Sequence, residues 1–253
     1  MKDIKLFVYR LIPLVLFILV WEFSIRDDKE LIFYFGLPSK IGYYVISKIL
    51  DGSLINDFIV TFSETVVGFF LGNLIGTIIG LSLWFSKRAF RISKPYIIAL
   101  GSAPIFALAP IIIIWFGTGM FSKVMMATLS TLFVALFQAY AGAAEVDNNY
   151  IKLMRTMNAS KLQIFQKVIA PSSLVWVISA FKINVGFALL GAFIGEFISS
   201  NEGLGHLILV ASGLFDISLV LTGVIMMAFI AIILNFLVSK LENPLKKLIV
   251  KKL

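Results

Sequence analysis

The sequence predicts an all-α membrane protein, a six-helix transmembrane bundle with both termini in the cytoplasm. Three observations carry this expectation. The 253 residues are 60% hydrophobic and only 14% charged, with a mean hydropathy of +0.99, whereas soluble domains are about 25% charged. The apolar runs are each about 20 residues long, enough to cross a hydrocarbon core of roughly 30 Å. None shows the alternation of a barrel strand, and a helix satisfies its own backbone groups in lipid.

The expected spans are Ile4 to Trp21, Phe58 to Phe85, Pro95 to Phe116, Val124 to Ala144, Ser172 to Phe197 and Ile217 to Val238. Lys2 and Lys5 precede the first span, as in a signal peptide. Its length, its internal Pro13 and the lack of a small-x-small site before Trp21 make it a retained anchor instead. The external connection Ile25 to Asp57 holds the charged cluster RDDKE and then LPSKIGYYVISKILDGS. After Pro38, Ser39 is placed to cap a short helix with Ile41, Tyr44, Val45 and Lys48 at helical spacing. That segment is either an interfacial helix or a surface loop with one amphipathic turn.

The second span carries Gly68, Gly72, Gly76 and Gly80, a smooth stripe on one helix face. Such stripes let helix backbones approach closely in lipid, so the stripe reads as a packing seam. The third span contains Pro95, Pro104 and Pro110, with Gly101 and Ser102 between them. Pro95 falls at the helix start, where proline is harmless, but an interior proline removes a backbone bond and clashes with the preceding turn. Freed carbonyls at membrane depth need protein or a water-filled cavity around them. The broken span is therefore expected at the centre of the bundle, either lining a pathway or simply kinked there.

Charge sets the orientation. Lys2, Lys5 and Arg10, the run Lys87 to Lys94, the segment Lys152 to Lys167 and the residues from Lys240 onward fall on one side. The other side holds Arg26, Lys29, Lys40, Lys48 and Lys123, and Lys182 lies within a span. The positive-inside rule puts the richer side in the cytoplasm. The net charge of +8 is thus a topology signal and not a nucleic-acid footprint. The implied organisation is an entry helix and external loop in residues 1–56, a five-helix core in 57–240 with a cytoplasmic segment at 145–171, and a basic tail in 241–253.

Several function classes drop out. The chain has no Cys and a single His, His206, so a thiolate or multi-histidine metal site is excluded. GTGMFSKV lacks the ending of a phosphate-binding loop, so any nucleotide is hydrolysed on another chain. No H-E-x-x-H and no paired-acid hydrolytic cluster is present, which disfavours a membrane enzyme.

The segment NYIKLMRTMNASKLQIFQKVIAP, from Asn149 to Pro171, is helix-patterned yet basic. Tyr150, Ile151, Met154 and Met157 give a first turn its apolar face, with Lys152 and Arg155 on another. Asn158 is suited to the left-handed conformation that ends a helix. Ser160 with Gln163 three residues on is a capping-box pattern that starts a second helix. Leu162, Phe165, Val168 and Ile169 continue the apolar face up to Pro171, where the next span is expected to begin. Such a bent pair serves either as an interfacial connector or as a docking element for a soluble partner.

Its spacing resembles the EAA loop of permease subunits of ATP-binding-cassette importers: Glu-Ala-Ala, three residues, Gly, nine residues, Ile, one residue, Leu-Pro. Here Lys152, Leu153 and Met154 take the first three places, Asn158 that of the glycine, Val168 that of the isoleucine, and Ala170 with Pro171 the ending. Asn158 keeps the bend, and Lys152 stands where the family has an acid. Further stretches, LPSKI, TFSETVVGFFLG, PYIIALGSAPIFALAPIIIIWFGTGMFSKV and LLGAFIGEFISSNEGLGHLI, are similar to the nitrate/sulfonate/taurine permease group. Within it, TFSETVVGF and the PYIIAL to APIFALAP stretch look like branches importing thiamine pyrimidine precursors, riboflavin or hydantoins.

The resemblance implies a type I importer permease in the cell membrane, paired with a second copy, two cytoplasmic ATPase subunits and an external substrate-binding protein. It implies no cofactor on this chain, with ATP and Mg held by the ATPase. The ATPase-docking residues it points to are Lys152, Leu153, Met154, Arg155, Asn158, Ala159, Ser160 and Phe165. The carried solute would be small and polar or heteroaromatic. An ion-coupled carrier or channel is the competing reading, because ionisable residues inside spans are costly and functional by default. Counting along the helices puts Lys182 about 16 Å from Pro171 and Glu64 about 10 Å from Asp57, similar depths at which the two could pair. Candidate pathway residues are Glu64, Ser102, Pro104, Lys182, Asn184 and Glu196. Glu196 ends the fifth span, and SSNEGLGHLI after it permits a tight external turn or a re-entrant segment. In that stretch His206 reads as a polar interface residue and not a ligand.

Overall fold

A computed structural model describes the backbone of residues 2–250 and the side chains of residue 9 and residues 11–240. The side chains of Lys2, Lys5, Arg10 and the basic tail 241–253 lie outside that description. Regular structure among the described residues is helical throughout. The helices are α1 (Lys2–Ile25), α2 (Lys29–Phe35), α3 (Pro38–Leu50), α4 (Ser53–Leu83), α5 (Lys87–Ser102), α6 (Ile105–Phe116), α7 (Met120–Ala144), α8 (Asn148–Thr156), α9 (Lys161–Ile164), α10 (Ala170–Ser199), α11 (Leu204–Gly213) and α12 (Ile217–Val250). Four helical stretches are long and apolar enough to cross a membrane: Ser53–Leu83, Met120–Ala144, Lys161–Ser199 and Ile217–Lys240. The pair α5 and α6, bent by 91°, makes a fifth crossing if counted as one broken span. The sixth expected span is α1, whose described apolar part is Leu11–Ile25.

The centre of the bundle is α4, α7 and α10, and small residues put them there. A Cβ added at Gly72 would lie 1.9 Å from Thr131 Oγ1 and 2.4 Å from the Thr128 carbonyl. At Gly76 and Gly80 it would meet the Leu132 and Leu136 carbonyls, each at 2.3 Å. The α4 backbone therefore rests directly on α7, a contact only glycine permits. On the other side of α7, Gly191 of α10 is just as close, a Cβ there falling 2.6 Å from Ala127 Cα. Asn184 of α10 ties the three helices together, its Nδ2 donating to Asn73 Oδ1 of α4 at 2.6 Å and to the Thr131 carbonyl of α7 at 3.1 Å.

The broken span is not at the centre of the chain, as expected, but at its edge. Gly101, Ser102 and Pro104 are exposed. Only small-residue faces can approach to backbone contact, and α4, α7 and α10 carry them, while the Ile- and Phe-rich broken helix is left outside. The break falls at Ala103 and Pro104, whereas Pro95 lies inside α5 and Pro110 inside α6.

Two further boundaries differ from expectation. Proline 171 does not begin a new span. The helix runs unbroken from Lys161 to Ser199, 39 residues, through a π-helical turn at Phe165–Ile169 in which the Ala170 N–H reaches back to the Phe165 carbonyl. Such a widened turn accommodates a residue that cannot donate to the ordinary ladder. Ser39 does not cap α3: Pro38 opens the helix after Leu37. The Ser39 N–H instead bonds Glu22 Oε2 at 2.9 Å, and the Leu37 N–H bonds Ser218 Oγ at 3.0 Å.

The α2–α3 unit, of which α2 was not foreseen, is pinned to the start of α12. Asp216 accepts from Lys40 Nζ at 3.0 Å and from the Tyr44 hydroxyl at 2.5 Å. Burial alone would push the Asp216 carboxyl up, but the Tyr44 and Lys40 hydrogen bonds outweigh it and hold the group below the ordinary carboxylate range.

Candidate functional site

Three places are candidates for function, and the bent pair of α8 and α9 is the first. Asp147 caps α8 through the Asn149 N–H at 2.8 Å. Asn158 adopts φ 56°, the left-handed conformation, and Ser160 with Gln163 forms the reciprocal capping box. The bend thus follows from three residues the sequence marks for it, Asn158, Ser160 and Gln163. The pair is packed on the bundle through Ala143, Ile164 and Ile169, joined by Ile151, Met154, Ala159 and Phe165. Phe165 packs at a tilt against Phe85 and Trp84, with ring centroids 4.7 and 5.8 Å away. Lys161 donates to the Phe85 carbonyl and lies over both rings, a cation placed at the end of α4 where the helix dipole favours it.

The apolar face expected on α8 divides in two. Ile151 and Met154 turn inward, while Tyr150, Leu153 and Met157 are 57%, 58% and 70% exposed. Lys152, Arg155, Asn158 and Ser160 are exposed beside them, and Ala159 and Phe165 are half-buried. The outward face is therefore an apolar stripe flanked by cations. Asn158→Val should cost about 1–3 kcal/mol, because a β-branched residue resists the left-handed region. Asn158→Gly should be neutral, and thermal unfolding of the two purified variants measures the difference.

The second place is the exposed break at Ser102 and Pro104. The third is a buried polar cluster at the end of α10. Glu196 is fully buried and Glu64 2% exposed, and Glu196 accepts from the Thr61 hydroxyl at 2.7 Å and the Gly205 N–H at 2.6 Å. Lys123 of α7 is buried as well and donates to the Thr118 carbonyl. Sequence reasoning counted Lys123 as an external surface charge and passed over Asp57, Thr61 and Asn73. Thr61, Glu64 and Thr65 share the helix face of the glycine stripe, a polar continuation of the seam that was legible in principle.

The expected Glu64–Lys182 pair does not form. Glu64 is buried, and its Oε2 is enclosed without a hydrogen-bond partner. Lys182 lies at an exposed position of α10. The depth count took Pro171 as the start of the span, but the helix begins a full π turn and more before it. Asn184 sits in the interhelical tie and faces no open space, being fully buried.

The family described as binding-protein-dependent transport system inner membrane component matches residues 72–246. The chain belongs to this family. A probable ABC transporter permease protein of Haemophilus influenzae is 33% identical over 70% of this chain and 72% of its own length. The formylaminopyrimidine transport permease protein ThiX of Halalkalibacterium halodurans is 30% identical over 91% of this chain and 92% of its own. Among solved structures, an inward-facing MetNI methionine ABC transporter chain matches with a TM-score of 0.69 at 17% identity, covering 78% of this chain and 98% of that one. The fold is that of a type I importer permease, and this ABC importer permease is a multi-pass inner membrane protein. The ion-coupled carrier reading gives way to this family.

Proposed function

We propose that this permease works as two copies, driven by two ATPase subunits at α8 and α9 and supplied by an external binding protein, to import a small polar or heteroaromatic solute. ATP and Mg belong to the ATPase. Both termini and the segment 145–171 face the cytoplasm, a reading supported by the one-sided Lys and Arg. In this arrangement 1–56 forms the entry helix and external unit, 57–240 the core, and 241–253 a basic tail. The 30% identity to ThiX across most of both chains favours a formylated aminopyrimidine or a similar heteroaromatic solute.

One observation carries the assignment of the pathway: the 91° break at Ser102 to Ile105 lies on the chain's outer surface. Helix ends leave N–H and carbonyl groups without helical partners, and lipid cannot satisfy them. A second copy and a water-filled path between the copies can. Ser102 and Pro104 then line the path, whereas Glu64, Glu196 and Asn184 act from inside the chain.

The absence of Cys makes the test direct. Ser102→Cys and Phe106→Cys should each cross-link two permease copies in native membranes, and Leu74→Cys on the outer face of α4 should not. If neither edge cysteine cross-links while Leu74→Cys does, this edge faces lipid and the pathway lies elsewhere. Solute uptake into vesicles should also require the ATPase and ATP, and uptake by the permease alone would refute the ATP-driven reading.

A further inference from the structure

A lysine stands near the middle of the longest apolar helical stretch and faces out of the chain. Lys182 is twenty-one positions from Lys161 and seventeen from Ser199 in that 39-residue helix, at an exposed position. Ser179 and Gly186, three and four positions away on the same face, are exposed as well. A Cβ placed at Gly186 would have nothing within 4 Å, and the Ser179 hydroxyl returns to the Val175 carbonyl of its own helix at 2.9 Å. The seam with α7 uses another face of α10, that of Asn184 and Gly191.

The depth of Lys182 follows from contacts across α7. That helix runs antiparallel to α10, for Gly191 lies on Ala127, Asn184 on Thr131, and Trp176 on Gly142. Lys182 is two positions before Asn184, and Phe133 is two after Thr131, so both steps run the same way by about 3 Å. Lys182 is thus level with Phe133. A Cβ at Gly101 would lie 3.1 Å from Phe133 Cβ, which puts the exposed break that starts at Ser102 on that level too.

A charge at mid-membrane is costly against lipid, and such residues face a bundle interior or a water-filled cavity and mark substrate paths. A lysine ammonium has three donors and no acceptor, so whatever it recognises must bring acceptors. We propose that Lys182 supplies a cation to the translocation path at the level of the break, and that the path there favours solutes presenting a carbonyl, a ring nitrogen or an anionic group. This role rests on the reading that Ser102 lines the path, and it fixes the sign of the charge at that depth. Ser179 and Gly186 keep the face beside the ammonium polar and uncrowded.

The test uses full-length permease carrying Ser102→Cys as its single cysteine, in nanodiscs of zwitterionic phosphatidylcholine. Two water-soluble thiosulfonates are compared, one with a sulfonate and one with a trimethylammonium group. The ratio of anionic to cationic modification rates should fall about tenfold when Lys182→Met is added, the low end of what a charged cleft does to local ion concentration. Lys182→Arg should preserve the ratio, and both variants should melt like the parent, since the position is exposed. Lys182→Cys alone should react with both reagents. An unchanged ratio in Lys182→Met, or an unreactive Lys182→Cys beside a reactive Ser102→Cys, overturns the proposal and leaves the path at the break standing. If Ser102→Cys reacts with neither reagent, the break does not face water, and the pathway reading falls and takes this role of Lys182 with it.

Discussion

Gly72→Val is expected to leave no correctly folded permease. The first added carbon would fall 1.9 Å from Thr131 Oγ1 and 2.4 Å from the Thr128 carbonyl, and the second obstacle is backbone, which cannot swing aside. Relief requires α7 to withdraw from α4, and α7 also carries the α10 contact at Ala127 and the Asn184 hydrogen bond to the Thr131 carbonyl. Overpacking a close-packed interior costs about 1–3 kcal/mol where side chains can shift. Here the cost should exceed that range, because three helices lose their seam together. Gly186→Val is the matched control, the same change in the same bundle at a glycine with nothing within 4 Å. Gel filtration and thermal unfolding in detergent should separate the two, and a Gly72→Val permease that melts like wild type would refute backbone contact between α4 and α7.

Leu153→Asp should abolish ATP-driven uptake while leaving the fold intact. Leu153 is the middle of the outward stripe formed with Tyr150 and Met157, and it is 58% exposed. Replacing it removes no contact from the bundle, so the melting temperature should stay within about 2 °C of wild type, as for surface changes generally. A charge placed at the centre of the proposed apolar contact with the ATPase, by contrast, would have to be desolvated without a partner, a cost of several kcal/mol that breaks an interface. Met154→Asp, one residue on, should do the opposite and destabilise the chain, because Met154 packs against the cluster of Ala143, Ile164 and Ile169. Co-purification of the ATPase with each variant, uptake and melting distinguish the outcomes. Normal uptake by Leu153→Asp would mean that the stripe rests on lipid.

These two positions show where sequence reading was strong and where it failed. The glycines at 68, 72, 76 and 80 declare a seam through spacing alone. Asn158 and the Ser160–Gln163 pair declare a bend because their chemistry is local, and local backbone preference survives any packing. The division of the α8 face into Met154 inside and Leu153 outside was not legible. The helical period placed Tyr150, Ile151, Met154 and Met157 on one broad face, and which part of it meets Trp84 and Phe165 depends on the angle at which the pair lies on α4.

The buried charges make the same distinction. Composition and spacing by themselves determined that this is a multi-pass helical protein with a seam in α4 and a capped bend before α10, because hydropathy, glycine periodicity and capping are properties of neighbouring residues. Only the tertiary structure decided that Glu64 is buried and does not pair with Lys182, that Lys123 is buried, and that the broken helix lies at the edge. Each of those depends on how far one helix slides along another. A shift of a single turn moves a side chain by about 5.4 Å, more than the length of a hydrogen bond, and no pattern along one chain segment records it.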